Sequence, residues 1–241
     1  MDYNSIKLEI VEDKIAIITL NRPEKKNALS IQMRTEISHC LKELDSSPEV
    51  GAAIITGAGS TFSAGFDLKE FSKPELFESI YLSSSQYHRD LWNFSKPVIA
   101  AIENQALGGG FDLATLCDIR ICTENAVFGH PEIKFGGPPL FTPLQWIIGY
   151  GLARDLCLTG RIINSSEAFR SGLVSEVINT NILERAIQIG KTIIEAPMST
   201  LKTVKNYMNN NANLSFEEAF VIEHDNQFVA GINKMKNKRG N

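Results

Sequence analysis

Short aliphatic runs separated by polar turns set the rhythm of this chain. Ile15-Ala-Ile-Ile-Thr-Leu20 is apolar at almost every position and stops at Asn21-Arg22-Pro23, which predicts a buried strand ending in a loop. Ser30 then stands as a cap before a stretch with apolar residues at helical spacing over 31–44. A second β-branched run, Ala52-Ala-Ile-Ile-Thr56, leads into the glycine-rich turn Gly57-Ala-Gly-Ser60, so the first unit reads strand, helix, strand. The pattern recurs in Pro97-Val-Ile-Ala-Ala-Ile102, a glycine cluster, an apolar segment over 111–116 and the strand Asp118-Ile-Arg-Ile-Cys122. A helix over 165–171 is followed by the strand Leu173-Val-Ser-Glu-Val-Ile178. Short strands alternating with helices predict an α/β fold, and the absence of a fixed-period repeat argues against a solenoid.

Beyond residue 182 the strand pattern stops and three helical stretches follow, over 182–195, 199–209 and 215–232. Pro197 and Asn209-Asn-Asn211 separate them, and Ser215 with Glu218 makes a capping-box pattern. The chain therefore divides into a core over 1–195 and a helical region over 196–241. The third stretch carries Phe216, Ala219, Phe220, Ile222, Phe228 and Val229, more apolar surface than one helix hides by itself. It can pack on the core or on another subunit.

The 241 residues are 43% apolar and 22% charged, enough for one globular core. No apolar run approaches the ~20 residues that span a bilayer, and Met1-Asp2-Tyr3-Asn4 lacks the basic-then-apolar start of a signal peptide, so a cytoplasmic protein with no membrane partner is expected. Cys40, Cys117, Cys122 and Cys157 show no C-x-x-C pairing and the four histidines no ligand spacing; buried reduced thiols and no metal are expected. A net charge of −4 argues against a nucleic-acid surface, and the basic run 234–239 reads as a solvated tail.

Two segments carry candidate chemistry: Thr61-Phe-Ser-Ala-Gly-Phe-Asp-Leu-Lys69 and Asn104-Gln-Ala-Leu-Gly-Gly-Gly-Phe-Asp-Leu-Ala114. Gly108-Gly-Gly110 falls where a strand gives way to a helix, so its N–H groups are unpaired, unobstructed and at the positive end of a helix dipole. A developing oxyanion at the Gly109 N–H would be favoured there, and Asp112, one turn on, shares that helix face. The alternative is that the glycines permit close helix–sheet packing while Asp112 complements the dipole. Phosphate-loop and dinucleotide patterns are incomplete, and Ser63-Ala-Gly65 lacks the leading glycine of a nucleophile elbow. Further on, Phe128-Gly-His-Pro-Glu-Ile-Lys-Phe-Gly-Gly-Pro-Pro139 sets one acid, Glu132, among apolar, glycine and proline residues. Such a carboxylate, stripped of water, is a candidate proton acceptor and donor; the alternative is an ordinary exposed loop glutamate.

In order and spacing these pieces resemble the crotonase superfamily, also called the enoyl-CoA hydratase/isomerase family. The resemblance runs from Asn21-Arg-Pro-Glu-Lys-Lys-Asn-Ala-Leu29 through Phe62-Ser-Ala-Gly-Phe-Asp-Leu-Lys69, Gly108-Gly-Gly-Phe-Asp112, Cys117-Asp118 and Pro131-Glu132-Ile133 to Leu158-Thr-Gly-Arg161, Ala168 and Gly172-Leu-Val174. It implies a spiral core of repeated ββα units and a C-terminal helical region used in trimerisation, often as a dimer of trimers. It also implies an acyl-coenzyme A substrate whose thioester carbonyl is held by the N–H groups of Phe66 and Gly109. By matched position, Lys26, Ala28, Ala64, Phe66, Asp67, Leu68, Lys69 and Gly109 contact that substrate. No cofactor beyond its coenzyme A is implied. The two acids of the hydratases map to Asp112 and Glu132, and hydratase chemistry is expected. Isomerisation through Glu132 alone, and a non-catalytic acyl-CoA-binding subunit, are the alternatives. The chain departs from the pattern in carrying Asp112 where typical hydratases carry a glutamate, and in a C-terminus shorter than usual. Phe66, Phe111, Phe141 and Trp146 suggest a bulky apolar acyl site, with core packing as the other use of each.

Overall fold

The computed structural model describes residues 3–12 and 14–239, with the main chain alone for 234–239. The start Met1-Asp2 and the side chains of the basic run lie outside the described residues. Among the described residues, nine strands form two sheets. They are β1 Ile6–Val11, β2 Ile15–Leu20, β3 Ala52–Gly57, β4 Val98–Ile102, β5 Gln105–Leu107, β6 Ile119–Thr123, β7 Val127–Gly129, β8 Ile163–Asn164 and β9 Glu176–Ile178. The first half contributes helices α1 Ile31–Ser46, α2 Leu68–Phe71, α3 Phe77–Asn93 and α4 Gly109–Thr115. After them come α5 Phe141–Ile148, α6 Tyr150–Thr159, α7 Ser165–Arg170, α8 Ile182–Ile194, α9 Met198–Asn210, α10 Phe216–Phe220 and α11 Asn226–Arg239.

The larger sheet runs β1-β2-β3-β4-β6-β9, antiparallel only at its first pair, and the smaller runs β5-β7-β8. Successive strands β4, β5, β6 and β7 alternate between the two sheets, which is the geometry of a spiral. A parallel sheet must be covered on both faces, and this one is. Ala16, Ile18, Ala53, Ile55 and Ala100 face the main core with Met33 and Ile37 of α1 and Tyr87 and Leu91 of α3. The alternate residues Ile15, Ile17, Ile54, Ile99 and Ile121 face Ile182 and Ala186 of α8. The cysteines are free and buried.

Helix starts follow their caps: Ser30 Oγ accepts from Met33 N, and Ser215 with Glu218 completes a capping box. Two expectations are corrected. The strand expected from Leu173 begins at Glu176, because Gly172 takes a left-handed turn at φ 76° and Leu173 and Val174 are spent filling the core. The helix expected over 215–232 is three pieces, broken by a π-helical turn at Val221–Asp225 and continuing to Arg239.

Candidate active site

The loop after β2 and the loop after β3 run side by side. Asn27, fully buried with a left-handed φ of 52°, ties them: its Nδ2 donates to Ala58 O at 2.9 Å and Thr61 O at 2.6 Å. Leu29 and Phe66 form a parallel bridge through Leu29 N to Gly65 O and Asp67 N to Leu29 O. In such a bridge the flanking residues make the bonds, so the Phe66 N–H turns to the other side and meets no acceptor among the described residues. Ala64 N donates to Lys26 O at 3.0 Å, and Asp67 pairs with Arg22 at 3.0 Å while accepting from Lys69 N. The expected substrate contacts Lys26, Ala28, Ala64, Asp67, Leu68 and Lys69 are thus gathered on one rim, with Lys26, Leu68 and Lys69 exposed.

The Gly109 N–H, at the first position of α4, likewise meets no acceptor among the described residues. It closes on the Phe66 segment: a Cβ on Gly65 would lie 3.3 Å from Gly109 N. The Phe66 ring covers Gly109 and would sit 2.7 Å from a Cβ there, while the Arg34 guanidinium stacks over that ring at 4.7 Å. Gly108 turns the chain from β5 into α4 at φ 53°, ψ −129°, a conformation closed to other residues, and its own Cβ would press on Glu132 Oε2 at 3.1 Å.

The pairing of β5 with β7, reinforced by Gly108 N donating to Gly129 O at 2.9 Å, brings the chain after β7 against the start of α4. Glu132, in the 3₁₀ turn Pro131–Phe135, and Asp112, in the first turn of α4, therefore share one site. Between them stands His130, fully buried and unforeseen from the sequence. Its Nδ1 lies 2.9 Å from Glu132 Oε1 and its Nε2 3.7 Å from Asp112 Oδ1, and its ring packs on Phe111 at 4.8 Å. Asp112 Oδ1, His130 Nε2 and Glu132 Oε2 are all shielded from solvent without a hydrogen-bond partner. Burial pushes the Asp112 carboxyl up to about 7, with the neighbouring Glu132 charge adding and His130 opposing. The three residues offer ligand-type atoms within 4.8 Å of one another, a carboxylate, imidazole and carboxylate set in which His130 is hydrogen-bonded to Glu132 and stands beside Asp112.

Beside the Phe66 ring opens an apolar cleft of about 580 Å³ lined by Phe66, Phe71, Phe77, Ile80 and Tyr81. Phe66 alone among the four aromatics expected at an acyl site lines it. Phe111 is buried against Phe128 and His130, Trp146 packs on Trp92, and Phe141 on Tyr150.

Comparison with known proteins agrees with this architecture. A Mycobacterium leprae protein named probable enoyl-CoA hydratase echA8 is 38% identical over 227 residues, covering 92% of this chain and 88% of that protein. The short-chain-enoyl-CoA hydratase of Clostridium acetobutylicum is 34% identical over 232 residues, covering 93% and 88%. The crystal structure of enoyl-CoA hydratase from Bacillus anthracis superposes with a TM-score of 0.88 at 29% identity, covering 98% of this chain and 97% of that one. The family model for enoyl-CoA hydratase/isomerase matches residues 11–241. With that match over nearly its whole length and a spiral fold to go with it, the chain belongs to the enoyl-CoA hydratase/isomerase family.

Proposed function

We propose that this protein is an enoyl-CoA hydratase, adding water reversibly to a trans-2-enoyl-CoA. The observation that carries the reading is a pair of carboxyls, Asp112 and Glu132, facing each other across His130 beside two unpaired main-chain donors. Family membership and the names of the relatives support it. In this reading the Phe66 and Gly109 N–H groups hold the thioester oxygen, and the rim from Lys26 to Lys69 receives the coenzyme A portion. Asp112 orients a water; Glu132 takes a proton from it as the oxygen bonds to the β-carbon. Charge collects on the thioester oxygen, where preorganised donors are worth several kcal/mol, and the proton on Glu132 then passes to the α-carbon. The acyl chain runs into the cleft beside Phe66.

The test is to incubate the purified protein with a short trans-2-enoyl-CoA and, separately, a trans-3-enoyl-CoA, and to follow products by mass. Gain of one water by the first is expected; migration of the double bond in the second, without hydration of the first, moves the assignment to isomerase. Binding without turnover of either makes the chain an acyl-CoA-binding subunit. Glu132→Gln is expected to lower turnover by at least ~100-fold while leaving the melting temperature unchanged.

The same proposal extends to assembly and place. Phe216, Phe220, His224 and Phe228 stack one above another along α10, the π-turn and α11, and Phe216 and Phe228 are 78% and 63% exposed. This stripe is unsatisfied in one chain and favours a homotrimer or a dimer of trimers. The free thiols favour a reducing compartment, the cytoplasm. No described helix is long and apolar enough to cross a membrane.

A further inference from the structure

An imidazole with no exposure, wedged between two carboxyls, with its own Nε2 and one oxygen of each acid unpartnered, needs a reason to be there. We propose that His130 is a positioning residue that joins Asp112 and Glu132 into one unit. Its Nδ1–H donates to Glu132 Oε1, leaving Oε2 as the oxygen that meets substrate, and its Nε2 edge stands 3.7 Å from Asp112 Oδ1 and sets the spacing of the two acids. The inference rests on the hydratase reading of this site.

The geometry carries it. With Oε1 held at 2.9 Å by a fully buried ring, the Glu132 carboxylate cannot rotate without breaking that bond, and Oε2 stays aimed across Gly108. A carboxylate accepts such a bond more strongly than a carboxylic acid does. Once Glu132 has taken its proton, the Nδ1–H bond therefore favours giving it up again, toward the α-carbon. On the far side of the ring, Nε2 faces Asp112 Oδ1 at 3.7 Å, so the same buried imidazole fixes where both carboxyls stand. The other titratable groups near enough to feel the charge of these acids are Tyr87 of α3, which feels Asp112, and Cys157 of α6, which feels both; burial raises the pKa of each, so both are uncharged at neutral pH.

The test compares His130→Leu and His130→Gln with the wild type. Hydration of trans-2-butenoyl-CoA by His130→Leu is expected to fall ~100-fold in kcat with KM within about twofold, the signature of misplacement felt in the transition state. In His130→Gln the side-chain amide N–H replaces Nδ1–H, and kcat is expected to recover to within ~10-fold with KM unchanged. A His130→Leu enzyme within about threefold of wild-type kcat overturns the proposal, as does a His130→Gln enzyme as slow as His130→Leu. Should His130→Leu not fold, ring ¹⁵N spectra of the wild type decide: neutral His130 protonated on Nδ1 supports the assignment, and protonation on Nε2 alone overturns it. If the wild type hydrates no enoyl-CoA, the functional reading fails on its own. The tautomer, together with α-hydrogen exchange of butyryl-CoA in D₂O by the same variants, then still tests His130.

Discussion

Asp112 is a carboxyl that solvent scarcely touches, and its protonation couples folding to pH. Its native pKa of about 7 stands above the 3.8 of an exposed aspartate, so the folded protein binds a proton that the unfolded chain has released between those values. The contribution of Asp112 to stability is accordingly full below about pH 4, falls as pH rises toward 7 and levels off above it, by an amount on the order of 4 kcal/mol at most. Asp112→Asn removes the titration. Chemical denaturation is expected to show the variant more stable than wild type at pH 8, with the difference shrinking steadily at pH 6 and pH 5; a pH-independent difference would contradict the burial. An aspartate here also withdraws its carboxyl by about 1.5 Å, one carbon–carbon bond, relative to a glutamate. His130 occupies the interval next to it. The sequence made Asp112 and Glu132 legible because each sits at a recognisable break, one after a glycine run and the other after a proline. His130 was not legible: a lone histidine has no spacing to read, and its partner Asp112 comes to it only through the β5–β7 pairing.

At the level of elements, strands buried on both faces were the easiest to read, since β2, β3 and β4 have almost no polar residue to confuse the pattern. What escaped has physical causes. β5, β7 and β8 span three, three and two residues, too few for a period to appear. α3 is serine-rich and buries only Ile80, Tyr87 and Leu91, so its apolar stripe is thin. The C-terminal helices were read from their caps and breakers, but not how α9 is fastened to the core. Lys205 does this: it is 5% exposed and donates to Lys96 O at 2.7 Å and Asp118 Oδ2 at 2.8 Å, its Nζ lying 5.5 Å from the Phe94 ring centre. Asp118 Oδ2 also accepts from Val98 N at the head of β4, so one oxygen joins helix and sheet. Lys205→Met strands that carboxylate and is expected to cost about 2–3 kcal/mol in urea denaturation. Adding Asp118→Asn should return part of the loss, and strict additivity of the two changes would show that the pair does not act together.

Across the whole molecule, α8 seals the second face of the sheet, and the chain beyond α9 has no comparable core to enter. The aromatic stripe on α10 and α11 is the consequence: the alternative left open by the sequence, packing on the core, is not the arrangement seen, as Phe216, Phe228 and Val229 remain largely exposed. Light scattering is expected to give a mass three or six times that of one chain, and Phe216→Asp with Phe228→Asp to shift it toward lighter species without loss of helix signal. A monomer in the wild type would remove the assembly proposal. The fold places its reactive groups by other means. Asp112 and His130 with Glu132 ride on two backbones that meet in the three-rung ladder of β5 and β7, Leu107 opposite Gly129. Because side chains alternate across a strand, sliding that ladder by a single rung would point the histidine away and part the acids altogether. The open wall of α2 and α3, where residues meet solvent, can therefore change shape without disturbing the site, while the separation of the two carboxyls is fixed by a main-chain alignment that tolerates no intermediate setting.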